Sequence, residues 1–143
     1  MRNVKKYIVS VIIIIIGIVS ITFIVKWNNK KSLEINEINI NNVVIQLTNN
    51  ENDYMEYKKI EGFKVFNNSA NFEIEIQNDS IITYKNIKVG DSIDKLDFCN
   101  NKVGTVYYFE TSYRYKGYHM EIIYGIDPVD NTILSITYSF YMK

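Results

Sequence analysis

Two kinds of hydrophobic pattern run along this chain, one continuous and one alternating. Residues 7–25 form an uncharged, almost wholly apolar run that includes five consecutive isoleucines, Ile12 to Ile16. At about 1.5 Å rise per residue, roughly 19 helical residues reach about 29 Å, close to the hydrocarbon thickness of a bilayer. The run is longer than a usual signal-peptide core, no small-x-small cleavage pattern follows it, and no cysteine stands after it for lipidation. It therefore predicts a transmembrane helix over 7–25, a signal-anchor rather than a cleaved leader. Residues 1–6 are its basic tail and 26–41 a polar stalk, in which Ile35, Ile38 and Ile40 could open a strand.

Beyond the stalk the pattern becomes periodic. Thr48-Asn49-Asn50-Glu51 reads as a capping box, Tyr54 and Tyr57 follow at helical spacing, and Gly62 closes the helix. Phe72, Ile74 and Ile76 alternate with Glu73, Glu75 and Gln77, as in a half-buried strand. Asn78-Asp79-Ser80 then turns the chain into a strand from Ile81 to Tyr84. A second short helix opens at Gly90-Asp91-Ser92 and runs through Leu96, capped by Asp91 or Ser92. A meander completes the chain. Residues 106–115 lead through Lys116-Gly117 into Tyr118, Met120, Ile122, Tyr124 and Ile126 on one face, and a turn over 125–132 precedes Leu134, Ile136, Tyr138 and Phe140. The fold class expected is α+β: an N-terminal transmembrane helix, then short helices packed on an antiparallel sheet. The soluble domain spans 42–143. Glu73-Ile74 recurs as Glu121-Ile122, and Ile82-Thr83-Tyr84 as Ile136-Thr137-Tyr138, which suggests two unequal units, 42–85 and 86–143. Matches this short also arise by chance in a chain rich in Ile and Tyr.

Charge sharpens the division. The chain has 16 basic and 16 acidic residues, but the first 31 residues hold six bases and no acid. The remainder has ten basic against 16 acidic residues, a formal charge of −6 with His119 neutral. A basic collar suits anionic lipid head groups, while an acidic domain argues against a nucleic-acid partner. A short basic tail favours translocation of the domain C-terminal to the span, so the expected placement is the cell membrane, single-pass, with the C-terminal domain outside the cytoplasm.

The segment Ile87-Lys88-Val89-Gly90-Asp91-Ser92-Ile93-Asp94-Lys95-Leu96, followed by tyrosine-rich strands, resembles a superfamily of small secreted proteins. It includes outer-membrane assembly lipoproteins of the SmpA/OmlA type and the β-lactamase inhibitory protein. The close match covers about ten residues and the fold-level likeness 42–141. The resemblance implies a protein-binding scaffold and carries over no functional residue. The chain departs from it in lacking a lipidated N-terminal cysteine and a clear second helix.

Candidate chemistry is sparse. His119 is the single histidine and has no second imidazole to help it bind zinc; Cys99 is the single cysteine, so no internal disulfide forms. Asp127-Pro128-Val129-Asp130-Asn131 lacks the spacing of a calcium loop and reads as a hairpin turn. No cofactor, metal or catalytic set is expected. The most distinctive feature is aromatic, and the candidate partner-binding surface is Tyr113, Arg114, Tyr115, Lys116 and Tyr118, since tyrosine and arginine are enriched at interfaces. Cross-strand pairing also accounts for this tyrosine stripe, and better than an exposed patch does. The function expected is a noncatalytic, membrane-anchored, extracytoplasmic protein-binding domain of inhibitor, immunity or envelope-assembly type. The alternative is a small membrane-tethered hydrolase or metal-dependent enzyme.

Overall fold

A computed structural model describes residues 33–68 and 71–142. Its main element is a six-stranded antiparallel sheet, with a separate two-stranded hairpin. The hairpin pairs β1 (Glu37–Ile40) with β2 (Val43–Gln46) through Asn41-Asn42, both at positive φ, the geometry of a two-residue turn that matches strand twist. The large sheet contains β3 (Phe63–Asn67), β4 (Asn71–Ile76), β5 (Asn101–Val103), β6 (Val106–Tyr115), β7 (Tyr118–Asp127) and β8 (Thr132–Tyr141). Their order across the sheet is β3-β4-β8-β7-β6-β5. β8 therefore closes the meander back onto β4, and Phe72 lies opposite Phe140, Ile74 opposite Tyr138 and Ile76 opposite Ile136.

One face of this sheet is sealed. Phe72, Ile74 and Ile76 of β4, Met120, Ile122, Tyr124 and Ile126 of β7, and Ile133, Ile136, Tyr138 and Phe140 of β8 are buried in one cluster. Ile38 and Ile40 of β1, Leu47, Tyr54, Ile81, Ile87 and Leu96 close it from above. Each fully buried side chain of this size contributes about 1.5–3 kcal/mol, and together they fix the register, because a one-residue slip would turn a whole strand's apolar set to water.

The α+β expectation is corrected: the described residues contain no α-helix, only four short turns of 3-10 type, and the architecture is antiparallel β. The helix expected after Thr48 breaks into Glu51–Tyr54 and Tyr57–Lys59. Polar side chains there compete with helical bonding. Thr48 Oγ1 donates to Asp53 Oδ2 at 2.5 Å, Asn50 Nδ2 donates to Asp53 Oδ1 at 2.8 Å, and Asn50 Oδ1 accepts from the Asn52 N–H. A segment this short also cannot repay helix nucleation on its own. The second helix shrinks to Ile93–Leu96, with Ser92 as its cap. The strand expected from Ile81 to Tyr84 is reduced to a single bridge between Ile82 and Asn39, because the chain bends through Lys85 and Asn86 at positive φ.

The membrane reading is corrected too. Among the described residues no helix is long and apolar enough to cross a bilayer, and the segment 7–25 lies outside them. The helical turns that are present hold three or four residues, where a span needs about 20. The transmembrane helix, the signal-anchor, the lipid partnership through it and the single-pass membrane placement thus find no element to rest on among the described residues. Leu134 supplies a smaller correction. A bulge lets Gly125 face Ser135 while Ile126 faces Ile133, so Ile133 is buried and Leu134 is turned out.

Candidate functional site: the open face of the sheet

The strands that bury one row of side chains present the alternate row on the other side, and no described element packs there. Cross-strand register lines up Phe66, Glu73, Ser139, Glu121 and Glu110 on β3, β4, β8, β7 and β6. The neighbouring line holds Lys64, Glu75, Thr137, Ile123 and Tyr108. A third holds Asn71, Tyr141, His119 and Arg114. The result is a mixed surface of carboxylates, hydroxyls and apolar groups. Lys64 Nζ lies 3.7 Å from Glu75 Oε2, Ser139 Oγ donates to Glu73 Oε1 at 3.4 Å, and the His119 and Tyr141 rings stack at 6.0 Å.

The residues expected as a partner surface divide between the two faces. Tyr113, Tyr115 and Tyr118 are half-buried and pack against the core cluster, Tyr115 directly opposite Tyr118. The Tyr113 hydroxyl accepts from Asn36 Nδ2 at 3.0 Å, tying the chain before β1 to β6. Arg114 is exposed and faces the open side beside His119, a register set by the two-residue Lys116-Gly117 turn. Lys116 is exposed at the hairpin tip with its ammonium 5.1 Å from the Tyr115 ring centroid. The structure thus brings Arg114 together with His119 and Tyr141 and separates it from the three tyrosines. Alternation carried the separation of Arg114 from Tyr113 and Tyr115, since the irregularity between Glu110 and Arg114 leaves both tyrosines on one face; the meeting with Tyr141 had no local signal.

Among the described residues no group of three or more His, Cys, Asp or Glu side chains is placed to hold a metal ion. The 127–131 loop is a hairpin turn, in which Asp127 Oδ1 accepts from the Val129 N–H at 2.8 Å. Cys99 packs at the edge of the core, and burial pushes its thiol up to about 11, which leaves little thiolate near neutral pH. Tyr124 is fully buried with no hydrogen-bond partner for its hydroxyl among the described residues, and burial raises its pKa. Phe98 packs edge-on against it, and Tyr84, Phe98 and Phe109 complete an aromatic cluster. A shallow groove of about 660 Å³ lies between the turn at Gly62 and residues 77–79, lined by Glu61, Lys64 and Asp79. Its amides are occupied within the fold: Gln77 Nε2 donates to Glu75 Oε1 and Asn78 Nδ2 to the Glu61 carbonyl.

No family model, no curated protein and no solved structure matches this chain.

Proposed function

We propose that this chain carries a noncatalytic protein-binding domain, of the inhibitor, immunity or assembly type, that engages its partner with the open face of its six-stranded sheet. The observation that supports this reading is the asymmetry of the sheet. One face is sealed by the hairpin and the 3-10 turns, and the other displays Phe66, Tyr108, Ile123, Thr137 and Tyr141 among glutamates with no described layer above it. A surface that mixes aromatic, aliphatic and acidic groups on a rigid sheet suits recognition of a folded protein: apolar groups give contact area and the charges set specificity. The likeness of residues 87–96 to small binding proteins points the same way.

The test places a photo-crosslinking amino acid at Thr137, on the open face, and separately at Val129, in the exposed 127–131 turn, of the full chain in its native host. The reading expects one discrete adduct from position 137, none from 129, and loss of that adduct in an Ile123→Arg background. Equal adducts at both positions, or an adduct untouched by Ile123→Arg, would contradict it.

A further inference from the structure

The β1–β2 hairpin has an edge that the rest of the fold treats differently from its other edges. The Leu47 N–H donates to the Asn36 carbonyl at 2.7 Å, so Leu47, Ile45 and Val43 turn their main-chain groups toward β1. On the far side of β1, Asn39 exchanges both main-chain bonds with Ile82, at 2.7 and 3.0 Å, and closes that side. The N–H and C=O groups of Val44 and Gln46 are left pointing outward with no partner among the described residues.

Sheet edges usually carry a charge or a proline that blocks pairing with another strand. The two edges of the large sheet follow this rule: β3 contains Lys64 and β5 contains Lys102. The sequence of β2 is Val43-Val44-Ile45-Gln46, uncharged and flanked by Asn42 and Leu47, with Val43 58% and Val44 52% exposed. An edge of this kind accepts an extended, uncharged strand rich in β-branched residues. This chain contains such a strand in β2 itself.

We propose that β2 is a strand-pairing edge whose occupant is β2 of a second copy, joined antiparallel about a two-fold axis through Ile45. The outward-facing residues fix that register. Only with Ile45 opposite Ile45 of the second copy do Val44 and Gln46 both find partners, each exchanging its two main-chain bonds with the other across the axis. A shift to Val44 opposite Val44 would pair Gln46 with Asn42, a turn residue at φ 67° that cannot continue a ladder. A shift to Gln46 opposite Gln46 would pair Val44 with Thr48, whose N–H and C=O are both bonded to the Tyr54 hydroxyl. No charge lies on either strand, so the two-fold juxtaposition brings no like charges together. Four residues a side bury less than a standard interface, so the dimer is weak and concentration-dependent. It leaves the open face of the large sheet free and does not depend on the binding function proposed for it.

The test uses the full chain with Cys99→Ser. Residues facing each other in a non-hydrogen-bonded antiparallel pair sit about 4.5 Å apart at Cα, within disulfide reach, whereas two copies of residue 43 would be about 13 Å apart along the strand. Mild oxidation is expected to link Ile45→Cys chains into dimers at least about tenfold faster than Val43→Cys chains. Sedimentation equilibrium of the otherwise unaltered chain should show self-association that Val44→Lys, at a half-exposed site, weakens about tenfold or more. Equal crosslinking from positions 43 and 45, or self-association unchanged by Val44→Lys, would overturn the proposal. A monomer at every concentration would overturn it as well and would leave another protein's strand as the occupant of this edge.

Discussion

Along β8 the side chains of Ile136, Tyr138 and Phe140 point to one face and are wholly buried, whereas Thr137 and Tyr141 point to the other and are only partly covered. The same strand thus obeys two sets of constraints. On the sealed face the constraint is volume: isoleucines, Met120 and rings from three strands interlock with Ile38, Leu47 and Tyr54, and the register follows from that fit. On the open face the constraint is looser: Ser139 is buried and bonded to Glu73, the positions around it are only partly covered, and the residues there include two glutamates directly opposite each other, Glu110 and Glu121. Like charges directly opposite each other on a ladder are, taken alone, unfavourable. The two faces thus differ in how tightly packing restricts the residue type at each position.

Reversing the character of adjacent positions should give the largest contrast. Ile136→Arg would place an unpaired charge at a fully buried position and should abolish folding, while Thr137→Arg, one residue away, should shift stability by less than about 0.5 kcal/mol. Circular dichroism melts of the pair check this directly. Next in size, Ile122→Ala should cost about 2–5 kcal/mol through the cavity it leaves, and Ile123→Ala less than about 1 kcal/mol, read as a difference in denaturant midpoint. Tyr124→Phe acts in the opposite direction. It removes a buried hydroxyl that has no partner among the described residues, and should raise stability by about 1 kcal/mol with a higher Tm.

The smallest effect is a titration at the rim of the sealed face. Burial raises the Cys99 thiol from its ordinary 9.0 to about 11, so the folded chain holds that proton more firmly than the unfolded one. The associated stability is complete below pH 9 and is lost as pH rises through the folded value. Alkylation of the native chain should correspondingly stay slow at pH 8 and quicken about tenfold per unit of pH until near 11.

The sealed face was legible wherever period-two alternation was clean. Phe72, Ile74 and Ile76, the even positions from Met120 to Ile126, and Ile136, Tyr138 and Phe140 all read correctly as buried rows, because burial on one side of a pleat writes that pattern directly. Leu134 did not, since a bulge moves the phase by one residue and alternation contains no mark of where a bulge falls. The helices were misread for a different reason. Thr48, Asn50 and Asp53 satisfy a capping motif and a side-chain-tethered turn equally, and the buried Tyr54 hydroxyl, which donates to the Thr48 carbonyl at 2.7 Å, favours the turn. The open face was the least legible part. The tyrosines from 113 to 118 suggested a surface, but Tyr113, Tyr115 and Tyr118 lean on the core, and the exposed rows on β4, β8, β7 and β6 meet only after strands distant in sequence pair. No local motif encodes that meeting.

Because, among the described residues, the sheet has one sealed and one open face, solvent paramagnetic relaxation of its methyl groups measures the difference most directly. With a soluble gadolinium chelate, the methyl signals of Ile123, Thr137 and Leu134 should relax several-fold faster than those of Ile122, Ile133 and Ile136. Equal protection of Ile123 and Ile122, or of Thr137 and Ile136, would mean that a further layer covers the second face, and would contradict both the one-sided architecture and the binding surface built on it.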